Sequence, residues 1–128
     1  MKALILLALL PGAALAQDVD CSRAMAQVEM TFCAEQDWLA ADADLNEAYA
    51  RARSVMRDID AELPKSQRGA ELALRYAQRA WITFRDQACA AEGYTMHGGS
   101  GEPMLIYGCR ARLTNERTDG MLILSGDY

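Results

Sequence analysis

From Trp38 to Ile59 the residues Trp38, Ala41, Leu45, Ala48, Ala52, Val55 and Ile59 follow one another at steps of three and four. From Ala70 to Ala91 the residues Ala70, Leu74, Ala77, Trp81, Phe84, Ala88 and Ala91 do the same. A period near 3.6 puts each set on one side of a helix, whereas a strand would need alternation at every second residue. Two stripes of this length must be buried against each other or against further helices. Asp42, Tyr49, Met56 and Leu63 widen the first stripe. Thr31 is the expected N-cap of the first helix, with Glu35 and Asp37 in its first turn and Pro64 as its stop. The break from Pro64 to Gly69 is short, so the second long helix should run antiparallel to the first, ending at Gly93 in a left-handed C-cap. A shorter helix is expected over Ser22 to Met30, carrying Ala24, Met25 and Val28. A last helix should start at Pro103 and carry Met104, Ile106, Leu113, Met121 and Leu122. The expected fold is all-α: a small antiparallel bundle of two long helices, a short N-terminal helix and a C-terminal helix.

The start of the chain does not belong to this pattern. Lys2 is followed by the apolar run "ALILLALLPGAALA" and by Ala14-Leu15-Ala16 before polar Gln17, which reads as a secretory leader over residues 1–16, cleaved after Ala16. No other segment approaches the roughly 20 apolar residues of a membrane crossing, so no membrane insertion is expected. Cys21 follows Asp18-Val19-Asp20 and lacks the small and apolar neighbours of a lipidation signal. Removing 16 of 128 residues leaves 112, enough for one core and too few for two. Residues 17–128 therefore form a single expected domain. Loss of Lys2 leaves 12 basic against 18 acidic side chains, a formal charge of −6. That balance argues against nucleic acid and anionic lipid and favours a basic partner.

Cys21, Cys33, Cys89 and Cys109 remain after the leader. In an exported chain two disulfides are the natural assignment. Antiparallel packing brings all four to one end of the bundle, and of three possible connectivities the local one, Cys21 to Cys33 and Cys89 to Cys109, is preferred. The chain has no C-x2-C pair and one histidine, His97, so no metal site is expected.

The stretch "QRAWITFRDQAC", residues 78–89, sets polar groups along an apolar stripe. Trp81, Phe84 and Ala88 should face the core with Arg85 at the stripe's edge, its stem on an aromatic face and its guanidinium paired with a carboxylate. Asp42 and Asn46, one turn apart on the first helix, are the expected partners, in a bidentate pair that fixes helix register. A hydrolase would need a nucleophile with its base, or two carboxyl groups of divergent acidity. No such pairing, no G-x-S-x-G, no H-E-x-x-H and no phosphate- or dinucleotide-binding glycine motif occurs. The chain is not expected to be an enzyme or to carry a cofactor.

Cys33, "ADADLNEAY" (41–49), "AQRAWITFRDQAC" (77–89), "GGS" (98–100), and Cys109 followed by "LTNER" (113–117) together resemble the LprI-type lysozyme inhibitor family of secreted bacterial domains. The likeness spans nearly all of the mature chain. It implies an extracytoplasmic, disulfide-bonded helical domain, with inhibition of host-type lysozyme attributed to some members. The matching polar and aromatic positions, Asp42, Asn46, Tyr49, Trp81, Arg85 and Asp86, lie on or beside the helix stripes and are expected to form a structural network. Gly120 departs from the pattern, which favours a helix former there, and weakens the expected end of the last helix.

The resemblance does not itself give a binding site; the best cleft-filling element is the glycine-rich segment "GYTMHGGSGEP", Gly93 to Pro103, a flexible loop by composition tethered by the expected Cys89–Cys109 bridge. His97, Gly98, Gly99, Ser100 and Glu102 are its candidate contact residues, with glycine N–H groups, the Ser100 hydroxyl and His97 offered to carboxylates in a lysozyme cleft. The expected partner is a basic lysozyme; the alternative is an adaptor that binds another exported protein through a helix face.

Overall fold

The structure is a computed structural model that describes residues 18–127, so the expected leader and its cleavage site lie outside the described residues. It contains three α-helices and no strand among the described residues: α1 (Gln27–Glu62), α2 (Ala70–Gly93) and α3 (Glu102–Ser125), with single 3-10 turns at Lys65–Gln67 and Tyr94–Met96. Where four helices were expected, three are found.

The missing one is the separate helix expected over Ser22 to Met30: Gln27 to Met30 are helical but form the first turn of α1. Asp20 takes the start of that segment into a turn instead, its carboxylate accepting from the Ser22 N–H at 3.1 Å, the Ser22 hydroxyl at 2.7 Å and Arg23 Nε at 2.8 Å. This is the local side-chain bonding with which aspartate competes against helix. The start of α1 is fixed by Glu29, which accepts from the N–H groups of Met25 and Ala26 at 3.1 and 3.2 Å and so satisfies donors that a helix start leaves open. Thr31 is therefore not a cap: it lies inside α1, its hydroxyl accepting from Gln27 Nε2 at 3.3 Å. Glu35 and Asp37 fall beyond the first turn, where Glu29 is the acidic residue. Met25 and Val28, expected on a buried face, are 86% and 77% exposed.

At its other end α1 stops before Pro64, and Asp60 then caps the next helix. Its carboxylate accepts from the N–H groups of Gly69, Ala70 and Glu71 at 2.7, 2.9 and 3.1 Å, and these three bonds hold its acid below the usual carboxylate range. Arg53, two turns back along α1, reaches the side chain of Glu71, and Asp42 meets Arg85. The α2 partners thus rise in number as those on α1 fall. Between α1 and α3 the order is the same in both helices: Gln27 meets Met104, Trp38 stacks on Tyr107, and Arg51 pairs with Asp127 just past the end of α3.

The core is small and rich in alanine. Leu45, Ala48, Ala52, Leu74 and Met121 are buried together, with Tyr49, Met56, Trp81 and Leu122 packed on them. Small residues on α1 let the helices approach closely, and α3 covers more of α1 than α2 does. On α2 the buried line is Leu74, Gln78, Arg85, Cys89 and Gly93, one residue out of phase with the apolar set Ala77, Phe84 and Ala91. Phe84, expected in the core, is 60% exposed. The polar seam wins because Gln78 and Arg85 find partners there: Arg117 Nε donates to Gln78 Oε1 at 3.0 Å, and the partners of Arg85 are described below.

Gly93 does not adopt a left-handed cap. Its φ and ψ are −59° and −30°, and the chain continues directly into the turn at Tyr94–Met96. Its want of a side chain serves packing instead, since a Cβ there would stand 2.6 Å from Ile106 Cγ1 on α3. The disulfides are Cys21–Cys33, which ties the Asp20 turn to α1, and Cys89–Cys109, which joins the end of α2 to the start of α3. α3 begins around Pro103 and continues unbroken through Gly120 to Ser125.

Candidate functional site

Arg85 is 6% exposed, the most deeply buried arginine of the described chain, and does not lie at the edge of a stripe. Its guanidinium lies between two indoles, 5.5 Å from the Trp38 ring centre and 5.2 Å from that of Trp81. Nε donates to Asp86 Oδ1 at 3.0 Å and Nη1 to Asp42 Oδ1 at 3.4 Å. The expected bidentate pair with one carboxylate is replaced by one bond to each of two. Asn46 does not reach the arginine; its amide donates to Asp42 Oδ2 at 3.4 Å and so orients that carboxylate.

α3 closes the group from the third side. Arg110 lies over Trp38 at 4.9 Å and its Nε stands 3.4 Å from Asp86 Oδ1, while Arg117 lies over Trp81 at 5.9 Å. Burial presses the Arg117 guanidinium below its ordinary value. Tyr107 stacks on Trp38 with ring centres 5.7 Å apart, and a hydrogen bond with Glu35, followed by burial, pushes its phenol up. Tyr49 stands apart, beneath Arg53 and against the core cluster. The two carboxylates beside Arg85, Asp42 and Asp86, are held by arginine, and Glu35 by Tyr107; the group has no nucleophile beside a base. What it does physically is bind three helices in one register through charge, cation–π contact and stacking. Its polar matching is incomplete: Trp38 Nε1 and Arg110 Nε are buried without a hydrogen-bond partner, the contact of Arg110 with Asp86 being an ion pair alone. Sequence reasoning missed the parts played by Trp38, Arg110 and Arg117. Their signal was present in the spacing of Arg110 and Arg117, seven residues apart and thus on one face of a helix.

The loop between α2 and α3 exposes every residue from Tyr94 to Ser100, but it is far more ordered than its composition implies. Glu102, in the first turn of α3, accepts from the Gly98 N–H at 2.8 Å, and its other oxygen lies 3.0 Å from His97 Nδ1. The hydrogen bond with His97 and that from Gly98 hold the Glu102 acid below the ordinary carboxylate range. The His97 ring stacks on Tyr94 with centres 4.4 Å apart and planes 8° from parallel. Gly98 has a φ of 77°, the left-handed region that glycine enters freely, and the Gly99 N–H is spent on Met96 O at 2.9 Å. Gly98 and Gly99 are thus not free donors, and Glu102 acts inward, as a clamp. The groups of the loop that face outward are the Ser100 hydroxyl, His97 Nε2 and the exposed faces of Tyr94 and His97. Cys89–Cys109 holds the loop's base, and all four cysteines are in disulfides.

A groove of about 400 Å³ runs from this loop to α1, lined by Gln27, Val28, Thr31, Ser100 and Pro103. No described helix is long and apolar enough to cross a membrane.

The sequence model of the family described as lysozyme inhibitor LprI matches residues 20–120, a span that contains both disulfides, the arginine–tryptophan group and the loop. An uncharacterised protein of Rhizobium meliloti (strain 1021) is 43% identical over 118 residues, covering 90% of this chain and 85% of that one. No solved structure matches the chain.

Proposed function

Because the chain belongs to the lysozyme inhibitor LprI family, we propose that it is an extracytoplasmic binding protein that occludes a basic lysozyme one to one, with the loop from Gly93 to Gly101 as the element that enters the cleft. The observation that carries this reading is the Glu102 clamp. A projecting loop held by a carboxylate, a ring stack and a disulfide at its base has little conformational freedom left to lose on binding, which is what a tight occluding element needs. A lysozyme cleft presents two carboxyl groups, and His97 Nε2 and the Ser100 hydroxyl are the outward groups able to meet them. In this reading the arginine–tryptophan group is scaffold, the protein turns over no substrate, and the mature chain is periplasmic or secreted and starts at Gln17 after cleavage near Ala16.

The test is the activity of a basic animal-type lysozyme on cell-wall suspension, titrated with mature protein at low and high salt. Inhibition should saturate near one equivalent and weaken with salt, chiefly through slower association. His97→Ala with Ser100→Ala should weaken inhibition at least tenfold, about 1.4 kcal/mol, at unchanged fold. Glu102→Ala should weaken it through loss of loop order, read as faster amide exchange at Gly98. A wild-type protein without effect on lysozyme at any salt would discard the inhibitor reading in favour of an adaptor for another exported protein.

A further inference from the structure

The apolar side chains that the bundle leaves uncovered on α1 are not scattered. Val28, Phe32 and Leu39 are 77%, 42% and 49% exposed. Spacings of four and seven residues put them on one face, turned away from the buried line of Ala41, Leu45, Ala48 and Ala52. Met25, 86% exposed, stands just before them. A row of large apolar side chains in water is the usual mark of an interaction surface.

Its surroundings say what kind of partner fits. From Gln27 to Ala50, α1 carries Glu29, Glu35, Asp37, Asp42, Asp44 and Glu47 and not one lysine or arginine. Asp42 is held by Arg85 and Glu47 lies 3.4 Å from Arg51, so the acidic excess rests on Glu29, Glu35, Asp37 and Asp44; nearby, Arg23 is engaged by Asp20. The basic residues of α1, Arg51, Arg53 and Arg57, all lie in its second half. An apolar ridge beside an excess of acid repels acidic proteins and draws basic ones, with the apolar contacts supplying affinity after encounter. The ridge is also continuous with the loop, because the groove that ends at Ser100 and Pro103 has Val28 as its opposite wall.

We infer that the Val28–Phe32–Leu39 ridge of α1 is the main docking surface for a basic lysozyme, with the loop at its end. This rests on the inhibitor reading above and deepens it: the ridge holds the body of the enzyme while the loop reaches the cleft. Loop and ridge together give the elongated, mostly apolar contact with a charged rim that a stable protein pair uses.

The test compares three sets of variants of the mature protein against a basic lysozyme, by inhibition and by calorimetric binding, with melting and far-ultraviolet dichroism to establish the fold. Val28→Ser with Phe32→Ser and Leu39→Ser should keep the fold and weaken binding at least thirtyfold. Asp37→Asn with Asp44→Asn should slow association several-fold and flatten its salt dependence. Leu72→Ser with Tyr76→Ser, equally exposed on α2 at 46% and 59%, should leave both unchanged. A folded ridge variant with wild-type potency overturns the inference while leaving the inhibitor reading intact. An equal loss from the α2 variant shows nonspecific adhesion and overturns the inference as well. If wild-type protein does not bind lysozyme, the inhibitor reading fails and the ridge assignment fails with it.

Discussion

Replacing Arg85 separates scaffold from site. Arg85→Ala removes two cation–π contacts, at 5.5 Å from Trp38 and 5.2 Å from Trp81, each worth about 0.5 to 2 kcal/mol. It also removes a stem packed between the two rings, and leaves a gap that 6% exposure gives water little room to fill. The ion pairs add less. Asp42 and Asp86 are 40% and 38% exposed at the side chain and can return to water, and Asp86 keeps Arg110, so the pairs contribute roughly 0 to 1 kcal/mol each rather than the several kcal/mol of a fully buried pair. The expected loss is about 2 to 4 kcal/mol. Arg85→Met, which keeps an apolar stem between the rings, should lose about half of that. Urea unfolding followed by tryptophan fluorescence is the natural assay, since the chain has two tryptophans and both face this guanidinium. A variant Arg85→Ala whose stability falls by less than about 0.5 kcal/mol would refute the scaffold argument. If that stable variant also lost lysozyme inhibition, the arginine would belong to the binding surface.

Two glycines should respond in opposite ways to alanine. Gly120→Ala, on α3 with nothing within 4 Å of the added methyl, should stabilise by about 1 kcal/mol, whereas Gly93→Ala should destabilise by about 1 to 2 kcal/mol because its methyl meets Ile106, with Ile106→Ala restoring part of the loss. Stability should hold from neutral pH to about 5 and fall below about 4: the acids of Asp60, Glu71 and Glu102 are all lowered in the fold, so their contribution is present above the ordinary carboxylate value and is lost as pH drops through the lowered one. Thermal melts across that range check it, and Asp60→Asn should reduce the slope. Native protein should show no titratable thiol, and reduction should cost on the order of 3 kcal/mol per bridge in the chain-entropy model, for closed segments of 12 and 20 residues; intact mass and melting with and without reductant decide both points.

The helical class and the positions of α2 and α3 were legible because Pro64, Gly69 and Pro103 act through backbone chemistry that needs no knowledge of neighbours. The start of α1 was not, because Thr31 and Glu29 compete for the same role and only the Asp20 turn, which the Cys21–Cys33 bridge ties to α1, decides between them. The phase of α2 was misread for a related reason. Periodicity ranks Phe84 above Arg85 for burial, and only Trp38 and Asp42 of α1, joining Trp81 and Asp86 beside it on α2, reverse that order. Within the loop, composition correctly marked its surface position but hid its rigidity, since Glu102 reads as an outward charge until Gly98 and His97 are seen to face it.

The greater cover that α3 gives to α1, relative to α2, has a consequence for how the chain becomes folded. Gln27 and Met104, which meet across this interface, are 77 residues apart in sequence, whereas α1 and α2 meet across a short turn. Local pairing comes first at little entropic cost, while closing the longer span comes late. Met121, fully buried on Leu45, Ala48, Ala52 and Leu74, reaches its place only at that last step. A chain that emerges from its N-terminus onward would therefore hold an open hairpin with its alanine-lined seam wet until Met121 had followed, and the commitment to a native core would be made only then.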